Sequence, residues 1–447
     1  MSFSAIRSTA YSALSASQVR TQLAAFNIAN ADTAGYSAKT STQVTTLTGT
    51  LGTGVSVSSI ASNVDKYLLA DIVASTSKAS NATTMADFAS QVQALMGSTS
   101  SSDGSGTSLA QMLADLETAA SDLVASPNSA TAKAELVAAL DAVTSSLRST
   151  GSAIQTLRGQ ADTGIADSVD TVNQALETIA ALNTQIVSAK NSGQSTADLE
   201  DQRNLALQTV AGQLDIAYSV NAEGAMLVGT RSGTILVGNS LNLLSYDPAA
   251  AATADTVFGA ITVNGQAVSI TGGTIGALLD QRDSVLPAMA DMLDTLAAGL
   301  INSINTAYGD ELLTGSGATS IAVSADILAN PDLLPAGTAQ SLSDAITGDW
   351  TFAASGQIGA GTSSFADYAS TILGLAATAS STATARAENA STALTGYQDA
   401  MSSLTGVNVD EETARLAELE QYYAVAAQIL TTLNAMFDSL LSAAQSA

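Results

Sequence analysis

The 447-residue sequence contains no cysteine and no histidine. The missing thiols exclude disulfide staples, thiol nucleophiles and cysteine–zinc sites. The missing imidazole excludes every triad or acid–base scheme built on it. Aromatic residues are 4% of the chain, little for a compact enzyme that must line a pocket. Cations are scarce as well: 14 Lys and Arg stand against 40 Asp and Glu, for a net charge of −26. None of those cations lies between Arg282 and Arg386. Nucleic acid and anionic membrane surfaces, which need clustered cations, are therefore not expected partners. No run of about 18 or more apolar residues occurs, so no transmembrane helix is expected. The opening MSFSAIRSTAYSALSASQ lacks a compact apolar core and is not expected to act as a cleaved signal peptide. An exported chain of this kind needs another route.

What is abundant is Ala, Ser and Thr, which suits long, closely packed helices. Residues 1–31 read as an amphipathic helix, with Phe3, Ile6, Ala10, Ala13, Leu14, Leu23 and Phe26 at helical spacing and a stop at Gly35. Residues 40–60, rich in Thr, Ser, Val and Gly, read as extended or hairpin structure. Helical periodicity returns over 65–96, 108–125, 130–190 and 197–213, with a polar loop at 97–107. Residues 214–270 alternate apolar and polar residues. The Asn264-Gly265 step inside Ala260–Ile270 predicts a two-residue hairpin, because both turn positions need positive φ. A helix is expected after Gly276, with Pro287 at a kink or a first turn. Residues 309–362 read as short strands and loops, and 363–405 as helix.

The last segment has the clearest pattern. Asp410-Glu411-Glu412 opens a helix with Asp410 as the expected N-cap, acids in the first turn and an expected Glu411–Arg415 pair. Leu416, Leu419, Tyr423, Ala426, Leu430, Leu433, Phe437 and Leu440 follow at alternating spacings of 3 and 4. That is a coiled-coil seam held for more than three heptads. The fold expected is mainly α within an α+β class. Residues 1–40 with 408–447 form a terminal coiled-coil-like core domain. Residues 41–213 with 271–407 form a mainly helical middle domain with some β structure. Residues 214–270 form a small β-rich inserted outer domain. The terminal helices alone bury too little to offset their ordering entropy, so they are expected to be poorly ordered before assembly.

Several motifs invite chemical readings. Asp201-Gln202-Arg203 and Asp280-Gln281-Arg282 could supply a carboxylate pair, but capping and local Asp–Arg pairing is the expected role. Gly272-Gly273-Thr274-Ile275-Gly276 precedes a helix but lacks the spacing and the Lys-Ser/Thr ending of a phosphate loop, and reads as a turn. Asn27 and Asn30 either face solvent or bond neighbouring subunits to fix register. Tyr422 and Tyr423 read as packing residues. No catalytic, cofactor-binding or metal-binding residue is assigned.

Asn27-Ile28-Ala29-Asn30-Ala31-Asp32-Thr33-Ala34-Gly35-Tyr36-Ser37 resembles the N-terminal signature of flagellar rod, hook and hook-associated proteins. Its Gly-Tyr-Ser ending resembles the hook-associated protein 1 family. Gly406–Glu412, continuing through Gln421-Tyr422-Tyr423 to Phe437–Leu441, is similar to the same family. So are Asp198–Arg203 and Gly272–Asp283. The resemblance implies a non-enzymatic structural subunit joining hook to filament, with another axial subunit (hook, rod or filament) as the alternative. It implies an extracellular location reached by type III export without a cleaved signal. The implied partners are copies of the chain in a helical ring, the hook protein below, a second junction protein above, and a cytoplasmic export chaperone on the C-terminal helix. No nucleic acid, membrane or cofactor is implied. Assembly residues expected on this reading are Asn27, Asn30, Gly35 and Tyr36, together with the eight seam positions.

Overall fold

The computed structural model describes residues 3–48, 51–97 and 108–445. Most of the loop expected at 97–107 lies outside the described residues. Helix α1 (Phe3–Ala29) runs into a turn in which Gly35 takes φ +77°. A ribbon follows, β1 (Lys39–Thr48) paired antiparallel with β2 (Leu51–Ser62), with bulges at Thr42/Gln43 and Thr46/Leu47. Helix α2 (Lys66–Leu95) is capped by Asp65, whose carboxylate accepts from the Tyr67 and Leu68 amides. Helices α3 (Leu109–Ala125) and α4 (Ala130–Asn191) start on Ser108 and Ser129 caps and are separated by Ser126-Pro127-Asn128. Helix α5 (Ala197–Gln213) completes this half.

The next segment forms two small antiparallel sheets. The first is β3 (Ile216–Val220), β4 (Met226–Thr230) and β5 (Ile235–Val237). The second is β6 (Leu244–Ser245), β7 (Thr262–Val263) and β8 (Gln266–Ala267). The predicted hairpin is present, with Asn264 at φ 52° and Gly265 at φ 76°. Ile216, Met226, Leu236, Leu244 and Val263 are buried in one apolar cluster with Leu136, Ile165 and Leu176 of α4.

Helix resumes four residues earlier than expected. Helix α6 (Gly273–Asp280) begins at a glycine with φ +66°, where a Cβ would sit 2.4 Å from the Gln213 carbonyl carbon. A single π turn, Gln281–Val285, leads into α7 (Leu286–Tyr308). Pro287 lies just past the π turn, inside a helix that runs without a break from 273 to 308, so the backbone bond that its ring nitrogen cannot donate falls at that irregular turn. Residues 309–362 hold more helix than their composition predicts. After β9 (Leu313–Thr314) and β10 (Ala322–Val323) come α8 (Ala325–Ala329) and α9 (Ala339–Thr347). The pair β11 (Trp350–Phe352) and β12 (Gly361–Ser363) then leads into α10 (Phe365–Thr405) and α11 (Val409–Gln445). The architecture is mainly α with small antiparallel sheets, as the sequence predicts.

Two helical stretches, residues 273–308 and 365–445, are apolar and long enough to cross a bilayer by length and composition, whereas none was expected. Averaged hydropathy tolerates the Ser and Thr that interrupt an apolar run. The first stretch is central to the core, with Leu286, Leu293, Leu296 and Leu300 buried. The second holds the exposed apolar rows of α11 described below. Helix α1 packs against α11 and β2, so the two ends of the chain meet. Its buried face is not the one that large side chains suggest. Ala10, Ala16 and Ala24 are buried, while Phe26 is 63% exposed. Small side chains let a partner helix approach closely.

Candidate functional site

Where α1 and α11 meet the body of the molecule, a buried polar joint replaces apolar packing. Asn27 is at its centre. Its Nδ2 donates to the Lys39 carbonyl (3.0 Å) and to Glu412 Oε1 (3.2 Å). Its Oδ1 accepts from the Tyr36 hydroxyl (2.8 Å) and the Lys39 amide (3.0 Å). Two donors and two acceptor positions are the full capacity of a carboxamide, so Asn27 is saturated within its own chain. Asn27 is therefore not solvent-facing, one of the two roles expected for it. Asn30 is also tied locally, donating to the Phe26 carbonyl and accepting from Thr33.

One turn further, the Ser37 amide donates to Asp201 Oδ2 at 3.0 Å, and its hydroxyl lies 2.8 Å from both carboxylate oxygens. Lys39 forms a buried ion pair with Asp201 and lies 3.7 Å from the exposed Asp198. The Ala38 amide donates to the Thr405 carbonyl at 2.6 Å. Burial pushes the Tyr36 phenol up to about 12, with Asp198, Asp201 and Glu412 adding to the effect. Gly35 supplies the left-handed turn that brings this segment over Leu205, 3.5 Å from where a Cβ would stand.

The joint therefore gathers three separate sequence blocks: Asn27–Ser37, Asp198–Arg203 and Gly406–Glu412. The family resemblance marks each block but not their convergence, because the partners are up to 385 residues apart. It also misassigned local details. The first turn of α11 is capped by Asn408, which accepts from the Asp410 and Glu411 amides, and not by Asp410. Arg415 pairs with Glu412 at 3.2 Å instead of Glu411, because Glu412 is the acid turned inward. The two Asp-Gln-Arg tripeptides are long-range cross-links more than local pairs. Arg203 donates to Asn183 Oδ1 and the Gly224 carbonyl. Arg282 pairs with Asp162 at 3.0 Å and with its neighbour Asp283 at 2.8 Å.

Beyond the joint, α11 presents two different faces. Glu412, Leu419, Ala426 and Leu433, spaced by seven, are buried. Leu416 and Leu430 are part-buried, while Tyr423, Phe437 and Leu440 are exposed by 43%, 51% and 62%. Intramolecular packing thus covers one alternate set of the predicted seam as far as Leu433, and leaves Leu440 at its end and much of the other set open. A second exposed row, Tyr422, Val425, Ile429 and Met436, runs beside it. Its spacings of 3, 4 and 7 were legible in the sequence, but the stronger seam masked them.

A cleft of about 530 Å³ opens next to the joint, lined by Leu23, Phe26, Tyr36, Lys39, Asp198 and Leu205 among others. Among the described residues, no three acidic side chains are grouped as a metal would require.

The model of the family described as flagellar hook-associated protein FlgK helical domain matches residues 89–319, just over half the chain. The chain belongs to the FlgK family of flagellar hook-associated proteins. A second family model, flagella basal body rod protein, matches residues 8–36, the stretch that ends at the joint. Flagellar hook-associated protein 1 of Escherichia coli (strain K12) is 43% identical over 61 residues, covering 14% of this chain and 11% of the relative. Flagellar hook-associated protein 1 of Salmonella typhimurium is 52% identical over 40 residues, covering 9% of this chain and 7% of the relative. The aligned segments thus span about a tenth of these curated relatives. A solved structure of the flagellar hook junction protein FlgK from Burkholderia pseudomallei aligns over 53% of this chain and 43% of that one. Its TM-score is 0.44 at 22% identity.

Proposed function

We propose that this chain is a structural, non-enzymatic subunit of the bacterial flagellum that joins the hook to the filament. Membership of the FlgK family supports the setting. The observation that carries the assembly role is the apolar surface left open on α11, with Tyr422, Val425, Tyr423, Leu440 and Met436 all exposed. An apolar helix face of that extent on a chain of net charge −26 favours protein partners over free solution. The polar joint suits the same role, because buried hydrogen bonds fix orientation where apolar contacts tolerate sliding.

In this reading, residues 1–40 with 408–447 form the assembling domain. Residues 41–213 with 271–407 form the middle, and 214–270 face outward. Copies of the chain pack laterally in a helical ring, with hook protein below and a second junction protein above. A cytoplasmic chaperone covers the C-terminal helix before type III export, and the chain acts outside the cell. The rod-protein match over 8–36 favours a second reading, another axial position in the same organelle.

Electron microscopy of cells lacking the gene, with the medium assayed for flagellin, separates the two readings. Hooks without filaments and unpolymerised flagellin in the medium are expected for a junction subunit. Normal filaments would remove the junction role, and loss of the hook itself would favour the second reading.

A further inference from the structure

The cleft beside the joint combines two chemistries. Leu23, Phe26, Ile60 and Leu205 give it apolar walls, with Phe26 63% and Leu205 46% exposed. Two carboxylates, Asp198 and Asp201, line it against one ammonium, Lys39. Its lining is therefore net negative, and the same field helps hold the Tyr36 phenol up at about 12. An occupant must bring apolar surface and a cation together.

That combination is rare in a chain with 14 cations and 40 acids. Helix α1 supplies it. The 27 residues of α1 include no Asp or Glu, and its two cations are Arg7 and Arg20. Arg20 is already bonded to Gln43. Arg7 is exposed and makes no ion pair among the described residues. Tyr11, four residues on and so on the same face, is 56% exposed, and Ile6 is 37% exposed. Tyr and Arg are the side chains that most often anchor protein interfaces.

We propose that the Ile6, Arg7 and Tyr11 face of α1 in one copy docks into the joint cleft of a neighbouring copy. Tyr11 packs on Leu23, Phe26 and Leu205, and Arg7 faces Asp198. The proposal rests on the self-assembly reading above and names the contact that it leaves open. Knob and cleft are different surfaces, so the contact is heterologous and propagates from copy to copy instead of closing a pair. On α1 the two lie about fifteen residues apart. At 1.5 Å per residue, adjacent copies are staggered by roughly 23 Å along that helix.

The chain has no native cysteine, so an engineered pair reports the contact cleanly. The full chain carrying Ser8→Cys and Gln202→Cys, at an exposed position one turn from Tyr11 and at a residue of the cleft lining, replaces the wild type in cells, and isolated flagella are oxidised and run on a non-reducing gel. A ladder of dimers, trimers and longer products is expected from the double variant, with no ladder from either single variant. Flagella that contain the double variant and give no ladder overturn the proposal. Should the double variant fail to incorporate, Arg7→Glu decides. A native thermal melt with roughly tenfold or greater loss of incorporation supports the contact, and any other result overturns it. The ladder is read wherever in the flagellum the chain sits. A failed junction role, shown by the deletion strain, is therefore distinct from a failed contact.

Discussion

Asp201 and Lys39 are 7% and 2% exposed, and each is the other's main compensation for leaving water. Removing one partner of such a pair strands a buried charge and costs about 3–5 kcal/mol. Asp201→Ala also takes the acceptor from Ser37. Its expected result is a drop of that size in denaturant-derived stability, larger than for Asp198→Ala, whose side chain is 77% exposed. Tyr36 gives the joint a pH signature. Its folded-state value lies near 12 against the usual 10.0, so the native state holds this proton more tightly than the unfolded chain does. The associated stability is fully present below pH 10 and is lost as pH rises from about 10 to 12. Tyr36→Phe removes that dependence and forfeits the hydrogen bond to Asn27, about 1 kcal/mol at neutral pH. The stability gap between wild type and Tyr36→Phe should therefore narrow across this window. A gap independent of pH would contradict the assignment.

At the scale of elements, sequence and structure agree where order is local and part where it is not. The 3.6-residue period marks α2, α3 and α4 closely, because periodicity acts within a few residues. The Asn264-Gly265 turn was legible for the same reason. The early start of α6 was not, since Gly273 is required by the approach of the Gln213 backbone, some 60 residues away. The joint was legible only as three disconnected motifs. Its decisive pairs, Asn27–Glu412 and Ser37–Asp201, span 385 and 164 residues, and no pattern within one block specifies the other partner. The heptad seam was legible as apolar, but its two faces were not distinguishable, because period alone does not say which neighbour covers which row. How far the covered row extends towards the end of α11 is measurable. Leu419 is 1% exposed and Leu440 62% exposed. Leu419→Ala should cost about 2–5 kcal/mol in the terminal helix pair. Leu440→Ser should leave the monomer's melt within about 0.5 kcal/mol of wild type while lowering incorporation into flagella. Equal effects of the two on monomer stability would mean that this row is covered in the single chain as far as Leu440.

For the whole molecule, burial is distributed unevenly along the axis. Helix α4 buries 24 of its 62 residues, including Leu136, Leu147, Ile154, Ile165 and Ile186 at 0% exposure. Helix α11 buries four of 37, and one of those is Glu412, whose Oε2 has no hydrogen-bond partner. Local opening free energy follows buried apolar contact, so the terminal pair opens far more readily than the body. Hydrogen exchange on the dilute chain should show α1 and α11 amides exchanging faster than those of central α4 by roughly three orders of magnitude or more. In assembled flagella the same amides should become protected if, as proposed, neighbouring copies cover Tyr423, Leu440 and the row beside them. The order of events follows from the joint. Its hydrogen bonds fix the direction of the terminal pair only once both helices are formed, so assembly sets the orientation by completing the pair. Terminal helices as protected in the free chain as α4 would show that the pair is built before assembly. The exposed rows would then be surface for a rigid docking partner and not the means by which the ends become ordered.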